Sequence, residues 1–125
     1  MIIKESAENY LESIFSIKKE KGCVRSIDVA NDLGVSKPSV SVAMKNFREE
    51  GYITVDQNGF LDLTEKGLAI AMAVYERHLV IAKALMALGV SEEVAYSDSC
   101  KIEHCISKES FDKLKEFLQR YNEQK

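Results

Sequence analysis

Cys100, Glu103 and His104 place a thiol, a carboxylate and an imidazole within five residues, in the segment Ser99-Cys100-Lys101-Ile102-Glu103-His104-Cys105. On a helix, residues three and four apart share a face, so the three groups would converge on one spot. A mixed sulfur, oxygen and nitrogen donor set suits a borderline divalent transition metal better than Mg2+ or Ca2+, which favour oxygen alone. Each residue alone also has an ordinary reading as a core or surface position of an amphipathic helix. Cys105 falls on another face and, like Cys23, reads as a buried apolar thiol. No second acid–base set, phosphate loop or nucleophile motif accompanies the cluster, which argues against a small metalloenzyme using Cys100 or His104.

A second set of chemistry-bearing residues lies upstream. Gly34-Val35-Ser36 is a tight turn, and Lys37, Ser39, Ser41, Lys45 and Asn46 follow it on a helix whose Val40, Met44 and Phe47 can pack inward. From Lys37 to Arg48 there are three cations and no acid, in a chain whose net charge is −3. The hydroxyls of Ser36, Ser39 and Ser41 can bond phosphates or base edges, and the amides that open a helix add an anion site. A solvated helix of a small helical domain would show similar polarity. The order of turn, helix and hairpin instead describes a winged helix-turn-helix, with its second helix in a major groove. Three cations on one module bind DNA weakly and with strong salt dependence, and a symmetric dimer is the usual remedy.

The elements that must position these residues follow from apolar spacing and caps. Ser6 is expected to cap a first helix reaching Lys21, with Ala7, Tyr10, Leu11, Ile14, Phe15 and Ile17 at helical spacing and Gly22 ending the run. Ser26 is expected to cap a short helix over 27–33. Ser36 caps the next, where Pro38 is harmless in the first turn, and Gly51 stops it after Glu50. From Tyr52 the period changes: Ile53 and Val55, then Phe60, Leu61 and Leu63, flank Asp56-Gln57-Asn58-Gly59, a strong hairpin signal. Thr64 restarts helix, and a long helix reaches about Leu88 before Gly89. Ser91 is expected to cap a helix over 92–105, and Ser107 a last one with Phe111, Leu114, Phe117 and Leu118 on one face. The fold expected is mainly α: a winged helix-turn-helix DNA-binding domain over 1–67, then an all-helical dimerisation and metal-binding domain over 68–125.

Composition agrees. One proline and no tryptophan among 125 residues leave helix formers dominant, and 46% apolar residues are ample for a core. Three irregularly spaced cysteines make no disulfide framework, which with the lack of a signal-like amino terminus points to a reducing cytoplasm. No apolar run approaches the length that spans a bilayer.

The chain resembles the diphtheria-toxin-repressor/MntR family of metal-dependent transcriptional repressors, in its short form without the SH3-like domain. The resemblance runs through Ala7-Glu8-Asn9-Tyr10-Leu11-Glu12-Ser13-Ile14, Asp28-Val29-Ala30 to Ser39-Val40-Ser41, Leu61-Asp62-Leu63-Thr64-Glu65-Lys66-Gly67 and Ile102-Glu103-His104. It implies a homodimer that binds operator DNA when Mn2+ or Fe2+ is bound as co-repressor. It also implies ligands from the first helix, the long helix and the Glu-His segment. Glu103 and His104 match two family ligands, and His78 matches a histidine ligand of the long helix. Glu12 matches a first-helix glutamate of the manganese branch. Cys100 stands where the iron branch has cysteine and the manganese branch glutamate, and it leaves Zn2+ and Co2+ compatible. Asn9 stands where the branches have aspartate or methionine, Ala82 where the iron branch has a carboxylate, and Tyr96 where it has a further histidine. His78 and Glu12 taken alone are also ordinary helix residues. The rival function is a metal-independent winged-helix regulator that senses a small ligand or thiol oxidation through Cys100 or Cys105.

Overall fold

The structure is a computed structural model that describes residues 5–124. Six helices and one hairpin follow in the order α1 (Glu5–Lys21), α2 (Ser26–Leu33), α3 (Lys37–Glu49), β1 (Ile53–Val55), β2 (Leu61–Leu63), α4 (Glu65–Ala87), α5 (Glu92–Ile102) and α6 (Lys108–Glu123). The chain divides into two compact units, Met1–Ala73 and Val74–Lys125, with the division inside α4.

In the first unit, Leu11, Ile14 and Ile17 of α1 bury against Val29 and Ala30 of α2, Val40, Met44 and Phe47 of α3, and Tyr52, Ile53 and Leu61 of the hairpin. These are the positions that helical and strand periodicity pick out. Ser36 accepts a hydrogen bond from the Ser39 amide (3.2 Å), which satisfies one of the orphan donors that open α3. Gly34 takes the left-handed conformation (φ 65°) that the turn between α2 and α3 requires. Ser26 does not cap α2. It is the first helical residue, and Arg25 is the cap, its amide donating to Asp28 Oδ2 at 2.9 Å. Ser6 likewise lies inside α1, so the cap of that helix falls outside the described residues.

The hairpin pairs Ile53 with Leu63 and Val55 with Leu61. Its loop is a three-residue connection rather than a two-residue Asn-Gly turn. Gly59 donates to Asp56 O (3.0 Å) in the left-handed region, Asp56 N donates to Phe60 O (3.0 Å), and the Asp56 carboxylate accepts from the amides of Asn58 and Phe60. On the other side of β2, Leu61 donates to Val24 O (2.8 Å) and Arg25 bridges to Phe60, which ties the wing to the chain entering α2.

The second unit takes α5 and α6 from serine caps at Ser91 and Ser107. The helix expected over 92–105 ends earlier, at Ile102. Glu103 is its C-cap, with helical dihedrals (φ −57°, ψ −26°), and Cys105 turns back to Ile102 O (2.9 Å). Cys23 and Cys105 are exposed, which corrects their assignment as buried thiols. Cys23 sits in the loop after α1, beside the fully buried Val24, and Cys105 in the turn after α5, and each faces outward from its connection. Among the described residues no helix is long and apolar enough to cross a membrane.

Candidate metal centre and nucleic-acid interface

His78 is the hub of the second unit's polar cluster. It projects from α4, and its Nδ1 lies 3.1 Å from Glu103 Oε2, 3.2 Å from Ser99 Oγ and 3.5 Å from Cys100 Sγ. Its ring packs tilted against Tyr96, 5.5 Å between centroids. The Glu103 side chain is fully buried, and the His104 side chain nearly so, its Nε2 3.3 Å from Glu103 Oε1. That separation is of ion-pair length, yet the direction gives Oε1 no hydrogen bond, and it is a buried carboxylate oxygen without a hydrogen-bond partner.

A buried, unsatisfied carboxylate oxygen is costly, of order 1–3 kcal/mol, and calls for a cation or a donor. The donor set around it fits a metal. Ligands bound to one ion at about 2.0–2.3 Å stand about 3–4 Å apart, which is the spacing found here among nitrogen, oxygen and sulfur. The surroundings hold the donors in place. Arg77, on the turn that carries His78, donates from Nε to Glu103 O (3.1 Å) and fixes the end of α5. Ser99 is buried and donates to Tyr96 O (2.9 Å), which leaves its oxygen facing His78.

Cys100, Glu103 and His104, which their spacing groups, thus lie in one unit with His78, which the family resemblance adds. The route differs: Cys100 is on the last turn of α5, Glu103 caps it and His104 follows it. Asn9 and Glu12 lie three residues apart on α1 of the first unit, both half-buried. Sequence reasoning misses Ser99 and Arg77 as site residues. A serine bonding the carbonyl three residues back, and an arginine beside a histidine, carry no specific sequence signal.

In the first unit, Ser36, Lys37, Ser39, Ser41 and Lys45 are all exposed on α3 or its cap. Ser36 donates its hydroxyl hydrogen to Ser39 Oγ (2.8 Å). Ser41, Lys45 and Arg48 line a cleft with Ser26, Met44 and Val55, so hydroxyls and cations border one groove between α3 and the wing.

Two family models match nearly the whole chain: "Iron dependent repressor, N-terminal DNA binding domain" over residues 3–60 and "Iron dependent repressor, metal binding and dimerisation domain" over residues 64–124. The transcriptional regulator MntR of Escherichia coli strain CFT073 is 34% identical over 118 residues, covering 94% of this chain and 76% of that protein. The chain belongs to the diphtheria-toxin-repressor/MntR family. The HTH-type transcriptional regulator MntR of Bacillus subtilis strain 168 is 33% identical over the same length, covering 83% of that protein. Among solved structures, the manganese regulator SloR matches with a TM-score of 0.77 at 26% identity, over 95% of this chain and 55% of that one. The metal-dependent transcriptional regulator MtsR matches at 0.80 and 28%, over 90% and 53%. As a member of the diphtheria-toxin-repressor/MntR family, the protein is a metal-dependent, DNA-binding transcriptional repressor and not an enzyme. Its two family domains divide between them the two clusters described above.

Proposed function

We propose that the protein represses its target genes as a homodimer in the cytoplasm when Mn2+ or Fe2+ is held by His78, Cys100, Glu103 and His104 of the second unit, with Glu12 and Asn9 of α1 completing the coordination. The observation that carries this reading is the buried Glu103 carboxylate, with an orphaned Oε1 and with Oε2 3.1 Å from His78 Nδ1. The names of the relatives speak for both metals: the family models are called iron-dependent, while SloR is named for manganese. Cys100 adds one soft donor, which favours Fe2+, Co2+ or Zn2+ over Mn2+, and Glu12 and Glu103 add hard oxygen. Leu88, Val94 and Phe117 of the second unit are exposed apolar side chains that a dimer would cover.

The bound cation supplies positive charge that offsets repulsion among the carboxylates and holds their helices together. The rest belongs to the protein. Arg77 and Ser99 hold Glu103 and His78 in register. Leu11, Ile14 and Ile17 pack α1 into the same core as α2 and α3, so a constraint on Glu12 and Asn9 is transmitted to the recognition helix. Ser36, Lys37, Ser39, Ser41 and Lys45 then meet phosphates and base edges of operator DNA. Coupling of this kind is reciprocal, so operator DNA tightens metal binding by the same factor.

The test is DNA binding by fluorescence anisotropy in reducing, metal-stripped buffer, using duplexes from the gene's own promoter region. Binding is expected with Mn2+ or Fe2+ and lost with chelator. Equal binding with chelator would instead establish the metal-independent regulator. With Co2+ as a spectroscopic stand-in, the reduced protein is expected to show thiolate-to-metal charge-transfer absorption that Cys100→Ser abolishes. Absence of that band removes Cys100 from the ligand set.

A further inference from the structure

We propose that Val42 reads the C5-methyl group of a thymine in the major groove of the operator, and so sets part of the sequence specificity of this repressor. The inference rests on the family-level reading as a DNA-binding repressor and names the base that one residue recognises.

The inner face of α3 is defined by Val40, Met44 and Phe47, all buried. Val42 is two residues from both Val40 and Met44, about 200° around a helix of 3.6 residues per turn, so it points directly away from the core. Its side chain is 62% exposed, and it is the exposed large apolar residue of α3. A β-branched residue on a solvated helix face is a poor helix former and leaves an isopropyl group in water. At that exposure, packing within the first unit does not explain the choice.

The neighbours of Val42 say what covers it. Helical spacing sets Ser41 and Lys45 on one flank and Ser39 and Asn46 on the other, all exposed. Lys37 and Arg48 add cations toward the two ends of the helix, also exposed. An apolar centre framed by hydroxyls, an amide and cations matches a major groove, whose floor is base edges and whose walls are phosphates. It does not match an apolar protein partner, whose interface core would be depleted of charge. On the groove floor the thymine C5-methyl is the apolar group that an aliphatic side chain can meet, while the other edges offer hydrogen-bond donors and acceptors. Val42 is also the sixth residue of α3, about 7.5 Å from its start, within the N-terminal half that enters the groove in helix-turn-helix proteins.

The experiment begins by selecting a consensus duplex from random-sequence DNA with the Mn2+-loaded full chain. Each thymine of the consensus is then replaced singly by deoxyuridine, which deletes only the methyl group, and affinity is measured for the wild type and for Val42→Ser. The expected result is one thymine per half-site whose methyl deletion weakens wild-type binding about fourfold, equivalent to the roughly 0.8 kcal/mol of one buried methyl group. The same deletion leaves Val42→Ser unaffected, and Val42→Ser already binds the thymine duplex more weakly. Because Val42 is exposed, the variant keeps the wild-type unfolding midpoint. A consensus in which no thymine shows this dependence on residue 42, or in which methyl deletion weakens both proteins equally, overturns the role of Val42 alone. Failure of the metal-loaded wild type to select any consensus overturns the repressor reading beneath it.

Discussion

Gly67 of α4 runs so close to Tyr52 that a Cβ on Gly67 would stand 2.1 Å from the Tyr52 carbonyl oxygen. Tyr52 cannot yield. Its ring is buried edge-on against Phe47 (6.3 Å between centroids), Lys66 lies over its outer face, and its carbonyl accepts from Thr64 N (3.1 Å). In an open helix Gly→Ala gains up to about 1 kcal/mol. Here Gly67→Ala is expected to destabilise the protein by about 1–3 kcal/mol, the usual cost of overpacking. Urea unfolding decides the sign, and an unchanged or raised midpoint means the junction between wing and α4 is looser than described.

Glu103→Gln keeps the shape of the buried side chain and removes its charge. The unsatisfied Oε1 makes the carboxylate a burden on the metal-free fold, so the metal-free variant is expected to unfold at the same temperature as the wild type or higher. Metal-stimulated DNA binding is expected to fall by the coupling energy, about 1–3 kcal/mol. Thermal melts with chelator and anisotropy titrations with Mn2+ measure the two effects. Undiminished stimulation by metal would place the site elsewhere.

Lys45 is exposed on α3 beside the cleft that Ser41 and Arg48 also line. Lys45→Ala is expected to weaken DNA binding and to flatten the dependence of log affinity on log salt by about 0.9 for each phosphate that the lysine no longer neutralises. Metal affinity of the free protein should stay as it was. A parallel salt dependence for variant and wild type would show that Lys45 touches no phosphate.

Lys18 of α1 and Asp62 of β2 form an ion pair at 2.5 Å. The hydrogen bond from Lys18 holds the Asp62 carboxyl below its ordinary value, helped by the Leu63 amide and opposed by partial burial. A carboxylate with a lowered native pKa stabilises the fold above its unfolded value, about 3.9, and that contribution is lost as pH falls through the lowered one. Both side chains are largely exposed, so solvent limits the effect to under about 1 kcal/mol. Asp62→Asn should therefore lower the unfolding midpoint slightly at pH 7 in low salt and match the wild type once the pH is well below about 3.9. A difference that persists in acid would assign the effect to packing.

What could be read from the sequence was what depends on neighbours along the chain. Ser36, Ser91 and Ser107 cap their helices because each hydroxyl meets an amide three residues ahead, a bond local enough to be written in a few letters. The buried faces of α1 and α3 follow apolar spacing for the same reason. Ser26 is displaced from its cap by Asp28, which reaches back to the Arg25 amide and starts α2 one residue sooner. The end of α5 at Ile102 depends on long-range partners instead. Arg77 takes the Glu103 carbonyl and His78 faces its carboxylate, and both come from a helix about 25 residues away. Cysteine type did not report burial: in each connection the chain turns a neighbour inward instead, Val24 beside Cys23 and Glu103 near Cys105.

The hydrogen bond from Arg77 to the Glu103 carbonyl bears on response time. That bond anchors the backbone beside the contacts that Ser99 and Glu103 make with His78, so the proposed donors of the second unit are held close together by the chain itself. Capture there needs the shedding of hydration water from the ion and little rearrangement of the chain. A pocket held together in this way would load without waiting for the chain to rearrange, whereas one that folded around its ion would lag behind the supply. Under the proposed ligand assignment, Arg77, which holds the backbone and not a candidate ligand atom, would then set how promptly the site fills.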